Sequence, residues 1–221
     1  MLIDLYYIGS FLLGSIPFGW IVARMKGIDI RKVGSGNIGA TNVKRALGTK
    51  LGIFVLFLDI LKSAVPGMVA GLIIKENPTS LSLNDLAVLG GVTAVIGHIF
   101  SPFLKFRGGK GIASGLGALL GVAPVVGLCC FSVFVVMMLF TRIVSLSSVI
   151  AATTILVFGW IFREQFGFGG VFFAVYSVVV LLIWIRHIPN LKRLAKGEEP
   201  KFTFKREAVT PVSTGDGDVG A

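Results

Sequence analysis

Long apolar runs separated by short polar stretches dominate this chain, and they predict membrane-spanning helices. A helix needs about 20 predominantly apolar residues to cross the hydrocarbon core of a bilayer. Five runs of suitable length lie at about residues 2–23, 51–74, 86–104, 145–162 and 169–185. We therefore expect an all-α, polytopic integral membrane protein.

A sixth apolar run, at residues 112–141, is too long for one ordinary span. Its middle carries Gly121, Pro124 and Gly127, which favour a turn. We interpret this run as two short helices, which brings the predicted total to seven. The composition agrees, because a hydrophobic fraction of 54% and a mean hydropathy of +0.88 leave little polar surface for a soluble domain.

The basic residues predict the orientation of these helices. With seven spans, one side of the membrane holds residues 24–50, 105–110, 142 and the tail from 186, which carry all but three of the 21 Lys and Arg residues. Because basic loops face the cytoplasm, the N-terminus is expected outside and the C-terminus inside. Six spans would export the basic tail. Topology and attraction of anions explain the net charge of +10 without a nucleic-acid partner.

The ends of the chain and its cysteines add little chemistry. No cationic segment precedes the first apolar run and no cleavage site follows it, so we interpret this run as a retained helix. We assign residues 1–207 to one helical membrane domain and the small, polar residues 208–221 to a disordered tail. Cys129 and Cys130 are adjacent in an apolar run, which predicts packing rather than a disulfide or a metal site.

The first of four polar clusters is a glycine-rich loop at residues 34–45. Glycines allow several backbone N–H groups to converge on an anion, and neighbouring hydroxyl, amide and guanidinium groups add donors. The candidate ligands are Ser35, Gly36, Asn37, Gly39, Thr41, Asn42 and Arg45. The alternative is a plain connector whose cations only orient the protein. Seven basic residues against one acid, Asp29, between residues 24 and 50 favour a phosphate site.

The second cluster, residues 97–111, ends in Gly108-Gly109-Lys110-Gly111. It is not a nucleotide-binding P-loop, because that motif needs glycine at position 104 and Ser or Thr at position 111. A lysine among backbone amides before a helix still suits an anion. His98 lies near the end of its span, where an ionisable residue is a functional candidate. The alternative is a histidine that only hydrogen-bonds within the helix bundle.

The third cluster, residues 141–148, lies at the entrance to a helix. Ser145 and Ser148 are three residues apart and share a helix face, whereas Ser147 points elsewhere. Any one of these serines also suits a helix cap. Arg142 adds a cation beside them.

The fourth cluster, residues 186–194, lies where the last span leaves the membrane. His187 and Asn190 are three residues apart and share a helix face, and one interpretation directs that face back into the helix bundle. The alternative is a basic segment that only contacts anionic lipid. Separately, Asp59 and Lys62 lie one turn apart within the second span, where burial of a lone charge is costly, so we expect a structural pair.

The four clusters together resemble those of the bacterial acyl-phosphate glycerol-3-phosphate acyltransferases. The matching motifs are Gly-Ser-Gly-Asn-Ile-Gly-Ala-Thr-Asn-Val-Lys-Arg at 34–45, Gly-His-x-Phe with Phe-Arg-Gly-Gly-Lys-Gly at 97–111, Arg-x-x-Ser-x-x-Ser at 142–148 and His-x-x-Asn-x-x-Arg at 187–193. The resemblance runs from the first helix to about residue 200. Its first two motifs are long and specific, and one small departure is Arg107, where lysine is expected.

The resemblance implies a seven-helix enzyme of the bacterial cytoplasmic membrane with its active site facing the cytoplasm. It implies glycerol 3-phosphate and a long-chain acyl phosphate as substrates, contact with membrane lipid, no metal or other cofactor, and no obligate protein partner. The implied catalytic residues are Ser35, Arg45, Lys110, His187 and Asn190. The implied substrate- and phosphate-binding residues are Gly36, Asn37, Gly39, Thr41, Asn42, His98, Gly108, Gly109, Gly111, Arg142, Ser145, Ser148 and Arg193.

The chemistry of these residues suggests their roles. The first loop would bind phosphate or position the acceptor, and residues 108–111 would hold the other phosphate and stabilise the leaving group. His98 would brace the second loop. His187 and Asn190 would orient the reacting hydroxyl or share its proton, the base being a histidine or a substrate phosphate.

Two other functions compete with acyl transfer from acyl phosphate. A transporter of phosphate or organic anions also places glycines and cations at helix breaks, but it binds near the middle of the membrane and often has two related halves. A transferase with a nucleotide-activated donor needs several membrane aspartates for metal, and Asp59 alone does not serve. A thioester-dependent acyltransferase commonly carries Asp five positions after His, where this chain has Phe103 and Lys192.

Overall fold

The computed structural model of the protein describes residues 1–76 and 81–203, and within them it is entirely helical. No β-strand occurs in these two segments. The helices are α1 (Leu2–Ser15), α2 (Phe18–Met25), α3 (Ala40–Leu47), α4 (Thr49–Glu76), α5 (Leu83–Ile99), α6 (Ile112–Val122), α7 (Pro124–Thr141), α8 (Val144–Ile161), α9 (Arg163–Phe166) and α10 (Gly170–Ala195). Short 3₁₀ turns lie at Ile30–Lys32 and Pro102–Leu104. The tail expected to be disordered, residues 208–221, lies outside the described residues.

Five of the described helices, α4, α5, α7, α8 and α10, are long and apolar enough to cross a membrane. Helices α1 and α2 pass the same test as a pair that is bent by 40°. Pro17 lies at the break and disfavours helical backbone at the residue before it. The first predicted span is therefore a broken helix and not a continuous one.

The apolar run at residues 112–141 breaks where its glycines and proline predict. Helix α6 ends at Val122, and α7 begins at Pro124. Of these two helices, only α6 is too short to span: its 11 residues rise about 16 Å, roughly half the thickness of the hydrocarbon core. The 18 residues of α7 are long enough to span, so the expectation of two short helices is wrong for α7. The total of seven spans stays a prediction.

Short helix α6 is held close to the long helix α4. A Cβ atom added at Gly117 or Gly121 of α6 would overlap the backbone carbonyl groups of Ile60 or Ala64 in α4. Small residues allow helix backbones to approach closely in membranes. Helix α4 also packs on α5, α1 packs on α5, and α8 packs on α7 and α10. Helix α6 also packs on α5, so it is held between α4 and α5.

The helix bundle has two distinct ends. At one end, the Asn84 side chain donates to the carbonyl oxygen of Phe166 at 2.6 Å, and α1 begins nearby, where Tyr6 contacts the start of α5. At the opposite end, the Ser145 hydroxyl donates to Glu199 at 2.7 Å. The chain runs back and forth between these ends, so all four polar clusters lie at the Ser145 end, which we call the polar end.

Candidate active site

Asn42 is the centre of the first glycine loop. Its side-chain carbonyl accepts a hydrogen bond from the Ser35 N–H at 3.0 Å. Its amide donates to the carbonyl oxygens of Ile30, Val33 and Asn37 at 3.2, 2.9 and 2.9 Å. We expected Asn42 among the phosphate ligands, but these bonds engage its polar atoms within the loop. Asn42 therefore shapes the loop.

The backbone of the first loop turns tightly around that side chain. Gly34 and Gly36 have positive φ angles of +57° and +67°. A Cβ atom at Gly34 would overlap the side-chain oxygen of Asn42. The Asn37 side chain then accepts from the Gly39 N–H at 2.7 Å, immediately before α3. The loop thus leads directly into the first turn of a helix, where backbone N–H groups attract anions.

Of the predicted catalytic or binding side chains of this loop, Arg45 lies near the second loop. Ser35 is exposed, and Thr41 and Arg45 are half-buried on α3. The charge of Arg45 contributes to lowering the pKa of Lys110 in the second loop. Leu104, which precedes the second loop, is buried in the apolar cluster beneath the first loop. The structure therefore brings the two glycine loops together.

The second glycine loop folds back onto the end of α5. The N–H groups of Gly108 and Gly109 donate to the carbonyl oxygens of Ile99 and His98 at 3.1 and 3.0 Å. A Cβ atom at Gly109 would overlap Nε2 of His98. Gly111, with a φ of +89°, turns the chain into α6. Close packing on the His98 ring therefore requires glycine in this loop.

Lys110 is the cation of the second loop, and it points towards the end of α10. It is half-buried and donates a hydrogen bond to the side-chain carbonyl of Asn190. Burial lowers the pKa of Lys110 to about 8. Neighbouring charges contribute to this value: the carboxylate of Glu199 raises the pKa, whereas the positive charges of Arg193 and Arg45 lower it. The charge of Lys110 is therefore sensitive to its neighbours.

Glu199 lies among the predicted phosphate ligands. One of its carboxylate oxygens accepts from Ser145 at 2.7 Å and from Asn190 at 2.6 Å, and the other accepts from Nε of Arg193 at 2.9 Å. Burial alone would raise the pKa of this carboxyl group, but these hydrogen bonds and the charge of Arg193 hold it below its ordinary value. Donors from α8 and α10 thus already surround an anion.

Sequence reasoning missed Glu199, although a signal was present. It belongs to a pair of acidic residues in an otherwise basic stretch after the last span. The segment that carries it crosses the polar end, where the Phe202 N–H donates to the carbonyl oxygen of Arg142 at 2.6 Å. Nζ of Lys44 donates to the carbonyl oxygen of Thr203 at 2.6 Å. Residues 196–203 are therefore part of the site.

His187 lies one turn before Asn190 and faces the bundle. It is buried, and its Nδ1 is 2.8 Å from the carbonyl oxygen of Ile183. A carbonyl oxygen only accepts, so Nδ1 carries the proton and Nε2 of the neutral ring has a free lone pair. This tautomer suits a proton acceptor.

The serines at the start of α8 differ in what they contact. Ser145 contacts Glu199, as described above. Ser147 lies on a different helix face, and its hydroxyl donates to the carbonyl oxygen of Ile143 at 2.9 Å within the same helix turn. Ser148 is buried, and Arg142 reaches the segment after α10 through its backbone while its side chain is exposed. Ser145 is thus linked to Lys110 through Glu199 and Asn190.

The described part of the site offers donors for anions and few carboxylate groups. Among residues 1–76 and 81–203, no group of three or more His, Cys, Asp or Glu side chains is arranged to hold a metal ion. Glu199 is itself bound by Asn190, Ser145 and Arg193. The arrangement is thus suited to holding phosphate groups through neutral donors and cations.

Comparison with known proteins matches most of this chain to one family. The family model described as glycerol-3-phosphate acyltransferase matches residues 5–197. The glycerol-3-phosphate acyltransferases of Aquifex aeolicus and Fusobacterium nucleatum are 42% and 39% identical, covering 87% and 88% of this chain and 95% of each relative. Both proteins share nearly their full length with this chain.

Solved structures extend the similarity to the fold. The crystal structure of an integral membrane glycerol 3-phosphate acyltransferase in its glycerol 3-phosphate form is 38% identical, with a TM-score of 0.82, and covers 91% of this chain and 96% of that protein. The lysophosphatidic acid form of the same enzyme has a TM-score of 0.79 at 37% identity, with the same coverage. This chain, an all-helical integral membrane protein, belongs to the glycerol-3-phosphate acyltransferase family.

Proposed function

We propose that this chain transfers a fatty acyl group from acyl phosphate to the 1-hydroxyl of glycerol 3-phosphate. The products are lysophosphatidate and inorganic phosphate, in the first acylation step of phospholipid synthesis. The observation that carries this proposal is the gathering of Asn190, Arg193 and Ser145 around one carboxylate, with Lys110 bonded to Asn190, beside a second, glycine-rich anion loop. A relative whose structures were solved in a glycerol 3-phosphate form and in a lysophosphatidic acid form supports the acceptor and the product.

Two anion-binding loops in contact suit a reaction between two phosphorylated substrates. Acyl phosphate is a mixed anhydride with a good leaving group, so the acceptor hydroxyl attacks the acyl carbon directly once the two are held in near-attack geometry. A carbon–oxygen bond forms to the acceptor as the bond to the donor phosphate breaks. No covalent enzyme intermediate is needed.

The residues divide this work by their chemistry. Ser35, Thr41 and Arg45 bind a phosphate group or position the acceptor, on the loop that Asn42 shapes. Lys110 and the N–H groups of its glycine loop hold the other phosphate and stabilise its charge as it leaves. The remaining predicted ligands, Gly36, Asn37, Gly39, Arg142, Ser148 and Arg193, surround these groups with backbone amides, neutral donors and cations.

The acceptor proton has two possible destinations. Nε2 of His187 has a lone pair in the tautomer set by the Ile183 carbonyl oxygen, so it is able to take the proton of the hydroxyl. A substrate phosphate is the alternative base. Asn190, which bridges Lys110 and Glu199, orients the reacting groups between these elements.

A metal-free assay tests the proposal directly. Detergent-purified protein in excess EDTA should form lysophosphatidate from glycerol 3-phosphate and palmitoyl phosphate, and should not use palmitoyl-CoA in its place. Product from the thioester alone would contradict the proposed donor. Uptake of phosphate or glycerol 3-phosphate into vesicles without acylation would identify a transporter instead.

The proposal also requires one membrane orientation. We propose that the chain crosses the bacterial inner membrane seven times, with the N-terminus outside and the polar end in the cytoplasm. The common location of all four clusters and the basic residues around them support this. Single cysteines introduced at Lys26 and Lys105 in a cysteine-free background should both be protected from an impermeant maleimide in intact cells. Labelling of one but not the other would contradict the proposal.

A further inference from the structure

Three ionisable side chains are buried together beneath the second glycine loop. Asp59 and Lys62 lie in α4, and His98 lies near the end of α5. Their exposed fractions are 2%, 3% and 4%. Nζ of Lys62 lies 2.8 Å from Oδ1 of Asp59, so the pair expected from sequence spacing is present, and it lies 3.0 Å from Nδ1 of His98. We call these three residues the buried triad.

The hydrogen bonds of Lys62 determine the tautomer of His98. An ammonium group has three N–H donors and no acceptor. Nζ of Lys62 forms an ion pair with the Asp59 carboxylate, donates to the carbonyl oxygen of Ile16 at 2.7 Å and lies 3.0 Å from Nδ1 of His98, to which it can only donate. Nδ1 therefore accepts, and the proton of the neutral imidazole is on Nε2.

The Nε2 side of His98 faces the second glycine loop. A Cβ atom at Gly109 would overlap Nε2, and the carbonyl oxygen of His98 accepts the Gly109 N–H at 3.0 Å. The loop therefore rests on this ring and on the backbone that carries it. A rotation of the ring would displace the amides that precede Lys110.

The same lysine also satisfies the break between α1 and α2. A helix break leaves carbonyl oxygens without intrahelical partners, and burying them unpaired is costly. Lys62 donates to the carbonyl oxygen of Ile16, which also accepts from the Phe18 N–H at 3.1 Å, and the Ser101 hydroxyl donates to the carbonyl oxygen of Ser15 at 2.6 Å. Helix α2 then leads into the first glycine loop, with Gly19 packed against the Ile38 backbone. The triad thus contacts the break between α1 and α2 as well as the backbone beneath the second loop.

We infer that Lys62, held by Asp59, is a positioning residue that fixes His98 as its Nε2–H tautomer and thereby keeps the Gly108–Gly111 loop in its anion-binding shape. This inference deepens the proposed function and rests on it for its kinetic consequence. Lys62 itself touches no substrate. Its effect reaches the reaction through the ring of His98 and the loop on that ring.

The tautomers are measurable because the chain has only two histidines. Long-range ¹H–¹⁵N spectra of protein labelled with ¹⁵N-histidine should show one Nε2–H ring and one Nδ1–H ring. The Nδ1–H signal should disappear in His187→Gln, which assigns the Nε2–H signal to His98. A His98 ring protonated on Nδ1, or on both nitrogens, would overturn the inference without any assay of activity.

The kinetic test first measures the KM of both substrates in Gly109→Ala. The substrate whose KM rises is the one that the second loop holds. Lys62→Met should raise the KM of that same substrate by about tenfold or more, as displaced binding groups do, with a much smaller change in kcat. It should also alter the His98 spectrum. Lys75→Met, at the exposed end of the same helix, is the matched control and should behave as wild type.

A variant without either charge keeps the test interpretable if Lys62→Met does not fold. Asp59→Asn combined with Lys62→Met leaves no unpaired buried charge, which removes the main cause of unfolding. It should elute as wild type does, yet show the same KM increase and the same spectral change. Unchanged KM values together with an unchanged His98 tautomer would overturn the inference. If wild-type protein forms no lysophosphatidate, the proposed function fails, while the spectra still decide the tautomer.

Discussion

Both anion-binding loops are rich in glycine and lead into a helix, yet they are held in different ways. Hydrogen bonds from Asn42 shape the first loop, and these reach no further than 12 residues along the chain. The second loop rests on His98, whose own partner, Lys62, is 36 residues away in another helix. The first loop is therefore specified locally, whereas the second depends on the packing of α4 against α5. Changes far from the second loop should alter it, and the first loop should respond mainly to its own residues.

The largest expected effect comes from the cation of the second loop. Lys110→Ala should lower kcat/KM by at least about 10²-fold, because a half-buried charge opposite a leaving phosphate is lost. Lys105→Ala removes an exposed lysine five residues earlier in the same region and is the matched control. Steady-state rates of lysophosphatidate formation measure both. Equal activities of the two variants would remove Lys110 from the catalytic set.

The local support of the first loop predicts a separation between stability and activity. Asn42→Ala leaves buried carbonyl oxygens and an N–H group unpaired, so the free energy of unfolding should fall by about 1–3 kcal/mol. Ser35→Ala should lower kcat/KM without a comparable loss of stability, because Ser35 is exposed. Thermal unfolding in detergent and initial rates distinguish the variants. A destabilised Ser35→Ala would contradict this division of roles.

The lowered pKa of Lys110 predicts a decline in activity at alkaline pH. Below about pH 8 the amine is protonated and binds phosphate, and as the pH rises through this value the charge is lost. The decline should appear in kcat/KM, which reports the free enzyme. Lys110→Arg should be less active but should lack this decline, since a guanidinium stays charged. A decline at the same pH in Lys110→Arg would assign it to another group.

The smallest expected effect is a shift of that alkaline decline. The carboxylate of Glu199 raises the pKa of Lys110, so Glu199→Gln should move the decline in kcat/KM to lower pH. Glu198→Gln is the matched control, because its side chain is exposed. Rate profiles of both variants against pH measure the shift. A shift to higher pH in Glu199→Gln would contradict the electrostatic coupling.

Much of the site could be predicted because glycine-rich anion loops and their cations are local in sequence. The loops at 34–45 and 108–111, His187 and Asn190 were all identified from short motifs. The contacts that these side chains make were harder to predict from the sequence. Asn42 has the residue type of a ligand, but its neighbours in the folded loop engage it. Glu199 was missed because its role depends on donors from α8 and α10, which only packing brings together.

The order of residues alone specifies a helical protein embedded in a membrane, because the length and polarity of each apolar run are local properties. It also determined the four motifs that identify the family. The folded structure was needed to bring Glu199 to its donors in α8 and α10 and to bury Lys62 against His98 beneath the second loop. Those features depend on contacts between residues far apart in the chain, and local patterns do not encode such distances.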